Sequence, residues 1–192
     1  MEKNIERFNN LLYFSLFSIY YNSVNLILYL IIYYNPILLS NTLYNIIFSL
    51  IPISLFLISI ITYLNFIYNS KIIILLLIYV LINILLLLFS NSFIIYNILF
   101  LIASFSYFLI YYLIYKDLYR ILSFLKILKF YKIFNMLNFS YFIINISRIF
   151  SFPITQFWEY KIFILIYSII LFVVMYKNTY ILIKKYSTYY IS

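Results

Sequence analysis

Residues 117–138 read DLYRILSFLKILKFYKIFNMLN, with a polar residue at every third place: Asp117, Arg120, Ser123, Lys126, Lys129, Lys132, Asn135 and Asn138. Almost everything between them is Leu, Ile, Phe or Tyr. Before this stretch the chain is nearly uncharged for more than a hundred residues, and two further apolar stretches follow it. On an α-helix each step of three falls about 60° short of a full turn, so Lys126, Lys129 and Lys132 wind across half of the helix surface. This pattern predicts a basic helix lying at a membrane interface. Its lysine stems would snorkel while the ammonium groups meet anionic lipid headgroups, such as those of cardiolipin, or an acidic neighbouring subunit. Arg120, Lys126, Lys129 and Lys132 are the candidate lipid- or partner-contact residues.

Composition decides the solvent. The chain has 192 residues, of which 68% are hydrophobic, 24% aromatic and only 9% charged. A water-soluble domain carries about 25% charged residues. The predicted class is therefore all-α: a polytopic membrane protein with five or six transmembrane helices plus the basic interfacial helix, forming a single membrane domain over 1–192. With no Cys and no His, the usual zinc, haem and iron–sulfur ligands are missing. With no Gly, phosphate-cradling loops, dinucleotide fingerprints and GxxxG helix pairing are excluded. No catalytic residue, cofactor or metal site is expected. The net charge of +9 suits nucleic acid in principle, but the cations are interleaved with aliphatic runs, and this favours membrane anchoring. Ile, Leu, Phe, Tyr, Asn and Lys dominate while Ala occurs once, at Ala103. These are the products of codons rich in A and T, as in the genomes of organelles and endosymbionts.

Taken in order, Met1–Asn10 is polar, with Glu2, Lys3, Glu6 and Arg7 cancelling. Neither a cleaved signal peptide nor an Arg-rich import presequence is expected, so a mitochondrial location implies synthesis inside the organelle. Residues 11–34 exceed the roughly 20 needed to cross a bilayer. Within them Asn22 and Asn25 share a face, and an interhelical hydrogen bond between amides is expected. Asn35-Pro36 marks a turn. A second span covers 43–66, with Pro52 expected to kink it. A third covers 72–89, with Tyr79 and Asn83 on one side, and a fourth covers 93–115. Short connections make these four into two antiparallel hairpins. Residues 133–152 are apolar enough to cross, yet carry Asn135, Asn138, Asn145 and Arg148. Pro153 ends this segment, Trp158 marks a boundary, and 162–182 form a final span.

Charge counting bears on the number of crossings. Six spans put the N-terminus, Lys71, the 116–132 region and the C-terminus on one side with eight of the nine net positive charges. Five spans divide them six against three. The asymmetry favours six, with the termini on the matrix or cytoplasmic side; the polarity of 133–152 favours five. Arg148 is the one candidate intramembrane charge. A charge at depth usually marks a pathway, but the nearness of Pro153 offers a helix end from which it can snorkel. Its counter-charge would be Glu159, if the helix continued past the proline.

The period-three segment is similar in spacing to the charged helix of voltage sensors, which needs carboxylates on neighbouring helices. The four acids, Glu2, Glu6, Asp117 and Glu159, all lie outside the expected spans. By composition over its full length, the chain resembles divergent, ciliate-type, mitochondrially encoded membrane subunits of respiratory complexes. Four close-set spans, a charged connection and a final span are similar in layout to the sixth mitochondrially encoded subunit of complex I. In that family the third helix carries a Tyr-Val-Gly-Ala-type segment; here Tyr79 and Val80 match and Leu81 holds the glycine position. The resemblance implies an inner-membrane subunit, surrounded by other subunits of a large complex, that supports proton translocation without a catalytic site of its own. A subunit of ATP synthase, with Arg148 as the charged residue, or of a cytochrome complex is the alternative. A stand-alone transporter or channel is the third reading, and the missing acids and glycines count against it.

Overall fold

The computed structural model describes residues 2–35, 42–89, 93–121, 127–149 and 155–188. They form six α-helices: α1 (Glu2–Tyr34), α2 (Thr42–Phe66), α3 (Ser70–Leu88), α4 (Phe93–Ile121), α5 (Ile127–Ile149) and α6 (Thr155–Thr188). No strand occurs among the described residues. Ile, Tyr and Phe ordinarily favour strands. Each helix satisfies its interior backbone groups within its own i to i−4 ladder, as an apolar surrounding would demand. Four stretches are long and apolar enough to cross a membrane: Glu6–Ile32, Ser70–Leu88, Ile94–Arg120 and Tyr160–Lys184. In α2 the apolar stretch Leu50–Phe66 is shorter, and the helix is continuous across Pro52.

Each helix packs on its neighbours in sequence, and α6 returns to α1, closing a six-membered ring. Neighbours run antiparallel, as the ring contacts show. Phe8, Phe14 and Tyr21 of α1 meet Phe66, Tyr63 and Phe56 of α2 in reverse order. Phe105, Phe108 and Tyr115 of α4 likewise meet Phe142, Phe139 and Tyr131 of α5. The α2–α3 contact is the thinnest in the ring, and α3 buries only Ile72, Leu76 and Ile82.

The chain has no glycine and one alanine, so the small residues buried in its helices are mainly serines, such as Ser15, Ser18, Ser59, Ser106 and Ser168. Aromatic rings fill much of the remaining interior. Phe172 of α6 lies 5.7 Å from Phe14, 6.1 Å from Tyr111, 6.2 Å from Tyr131 and 5.9 Å from Phe134, centroid to centroid. Phe56 of α2 lies 4.8 Å from Tyr79 of α3 and 6.0 Å from Tyr111 of α4. All six helices thus contribute to one aromatic hub. Most of its contacts are edge-on or tilted, as the ring quadrupoles prefer.

Two expectations are corrected. The segment 116–132 is not a helix of its own: residues 116–121 complete α4 and residues 127–132 open α5, with 122–126 outside the described residues. Its apolar positions are continuous with those of the flanking runs, so each half extends a core-packed helix. The amide nitrogens of Asn22 and Asn25 do not bond across helices. They turn back to the carbonyls of Ser18 at 2.7 Å and Tyr21 at 2.9 Å. A carbonyl one turn away is always within reach, whereas a partner on another helix requires exact register. Residues 150–154, through which a helix would run to bring Glu159 towards Arg148, lie outside the described residues.

Candidate functional site

One end of the ring gathers the start of α1, the α2–α3 turn, the end of α4, the start of α5 and the end of α6. Arg120, Lys129 and Lys132 all stand exposed there. Lys126 lies outside the described residues. The end is tied together by Asn69. As N-cap of α3, its side-chain oxygen accepts from the Lys71 N–H at 3.1 Å, leaving its amide nitrogen to donate to Asp117 Oδ2 at 2.7 Å. The Tyr63 hydroxyl donates to the same oxygen at 3.4 Å. One half-buried carboxylate therefore joins α2, the turn after it and α4. Arg148 is the penultimate residue of α5, at the opposite end of the ring; its side chain is outside the described set.

The period-three pattern has a structural meaning that the spacing alone concealed. Three successive steps of three residues turn the side chain by about 180° relative to its start. Lys129 and Lys132 accordingly face outward, whereas Asn135 and Asn138 are buried. One numerical pattern carries cations to the surface at the mouth of the bundle and amides to its centre further along.

Deeper in, the hydroxyls of Tyr21, Tyr79, Tyr107 and Tyr111, from α1, α3 and α4, lie close enough to act on one another electrostatically. Across the hub, Tyr131 and Asn135 of α5 continue this polar seam. Other asparagines inside the helices satisfy their nitrogens locally: Asn83 donates to the Tyr79 carbonyl at 2.7 Å and Asn138 to that of Phe134 at 3.0 Å. Asn135 does not. Both of its side-chain polar atoms, the Tyr111 and Tyr131 hydroxyls and the Ser18 hydroxyl are buried with no hydrogen-bond partner in the chain. Leaving such a group unpaired costs about 1–3 kcal/mol.

Along the α5–α6 contact, Tyr160 and Tyr167 of α6 donate to the Leu137 and Phe130 carbonyls of α5 at 3.4 and 3.1 Å. The Lys161 ammonium sits 4.3 Å above the Tyr141 ring. These bonds fix α5 against α6 along most of its length.

The seam offers hydroxyls and amides, which bind and orient polar molecules but supply neither nucleophile nor acid–base pair. No group of three metal-binding side chains occurs among the described residues. Reasoning from sequence missed Tyr131 and Tyr111 because 25 tyrosines give no contrast; only burial distinguishes them. Asn135 was visible, but was grouped with the lysines. Comparison with protein-family models, with curated proteins and with solved structures finds no match to this chain.

Proposed function

We propose that the chain is an integral membrane subunit of a mitochondrial respiratory-chain complex, foremost the membrane arm of complex I, NADH:ubiquinone oxidoreductase. On this reading it supports electron-transport-linked proton translocation and assembly without a catalytic site of its own. The observation that carries the proposal is the large apolar side chains exposed on every helix of the ring. Examples are Ile27 on α1, Ile61 on α2, Leu77 and Leu81 on α3, Ile98 on α4, Met136 on α5 and Ile170 on α6. Such a surface needs acyl chains or companion subunits around it. The A+T-driven composition and the layout resemblance supply the mitochondrial setting.

We take α2 and α5 as spans as well, making six. The amides that argue against a crossing by α5 are Asn135 and Asn138, and both point inward; its outward residues include Ile133, Met136, Phe139 and Ile143. With six crossings the basic end faces the matrix, where Arg120, Lys129 and Lys132 meet cardiolipin headgroups or a partner's acids.

Native electrophoresis of detergent-solubilised inner membranes tests the reading. The chain is expected to migrate with NADH dehydrogenase activity in a large assembly; migration as a small homo-oligomer overturns it. Arg148→Gln separates the main alternative. In a complex I subunit it leaves NADH oxidation near the wild-type rate. In an ATP synthase stator it abolishes ATP-driven proton movement.

A further inference from the structure

We propose that the junction of α1, α4 and α5 is a binding site for internal water, with Asn135 as its principal ligand. Asn135 is 6% exposed, Tyr131 1%, and Tyr111 and Ser18 0%. None of their side-chain polar atoms finds a partner within the chain. Asn135 has two amide donors and a carbonyl acceptor to satisfy. The backbone carbonyl that serves Asn22, Asn25, Asn83 and Asn138, four residues earlier in each case, is that of Tyr131 for Asn135, and its amide leaves it unused. The side chain is therefore aimed at something other than its own helix.

The unpartnered groups are neighbours. Tyr131 and Asn135 are one turn apart on the same face of α5. The Tyr131 and Tyr111 rings both pack on Phe134, at 5.8 and 5.2 Å. The Ser18 and Tyr107 hydroxyls lie close enough to that of Tyr111 to act on it. A buried water needs two to four polar partners. Asn135 and Tyr131, one turn apart, supply three unpartnered polar atoms, and the Tyr111 hydroxyl adds a fourth from α4. Toward the basic end Tyr63 acts electrostatically on Tyr131 and donates its hydroxyl to Asp117. The site belongs to the bundle itself and holds whichever assembly the chain joins.

Radiolytic hydroxyl-radical footprinting of the intact complex in its membrane tests this, because radicals formed from bound water label the side chains beside it. Tyr131 and Tyr111 are expected to be oxidised despite their burial. In an Asn135→Leu variant their labelling falls several-fold, while that of exposed Tyr68 and Tyr119 is unchanged. If that variant fails to assemble, Tyr131→Phe keeps the ring and removes one ligand, and the labelling of Tyr111 falls in its place. Unreactive Tyr131 and Tyr111 in the wild type, or labelling that the variants leave unchanged, overturns the proposal. So does a high-resolution cryo-EM map showing a protein side chain bonded to the Asn135 amide.

Discussion

Asp117 shows how much one side chain decides in a chain with four acids. It accepts from Asn69 at 2.7 Å and from Tyr63 at 3.4 Å. A short bond to a carboxylate is the stronger kind, worth about 1.5–3 kcal/mol. Asn69→Ala removes both this bond and the cap of α3, so it is expected to destabilise the protein by about 2 kcal/mol. Tyr63→Phe loses only the longer bond while its ring keeps packing on Phe14 at 5.2 Å, so it is expected to cost less than about 1 kcal/mol. Thermal unfolding in detergent measures both; equal losses would show that Asn69 contributes no more than the tyrosine hydroxyl. The carboxylate was visible in the sequence, but its partners, 48 and 54 residues away, were not. A contact between distant residues leaves no mark on local spacing.

Among the helices, α5 is the one whose role hydropathy leaves undecided. Buried Tyr131, Phe134, Asn135, Asn138 and Tyr141 alternate with exposed Ile133, Met136, Phe139 and Ile143 at helical spacing. Average hydropathy penalises the buried amides as though they faced lipid. The decisive position is Met136, near the middle of the helix and 58% exposed. If α5 crosses the bilayer, Met136→Lys places a charge at depth and is expected to reduce insertion by about 2.5–3.5 kcal/mol. If α5 lies at the interface, the lysine reaches water at little cost. Glycosylation mapping of membrane insertion separates the two, and unchanged insertion would remove the sixth span. The same reasoning accounts for the basic segment: its spacing was legible, but its division between α4 and α5 depends on what each half packs against.

For the whole molecule, the ring of antiparallel helices sorts charge by end, and the absence of cysteine makes this directly testable. Single-cysteine variants Lys71→Cys and Lys129→Cys, at exposed positions of the basic end, are expected to react with an impermeant maleimide from one face of sealed vesicles. Phe89→Cys, exposed at the other end of α3, is expected to react from the opposite face. Labelling of all three from one side would refute the topology. The sequence by itself determined the helical class, the apolar solvent and the concentration of cations near residues 116–132, because these follow from composition and from sums over short windows. Only the tertiary structure decided which tyrosines and asparagines are interior, which helices neighbour one another, and that Asn69, Tyr63 and Asp117 meet. With 46 Tyr and Phe residues and no glycine, side-chain type carries little contrast between lipid-facing and core positions. Helix rotation and partner choice, which depend on the packing of all six helices together, supply the distinction.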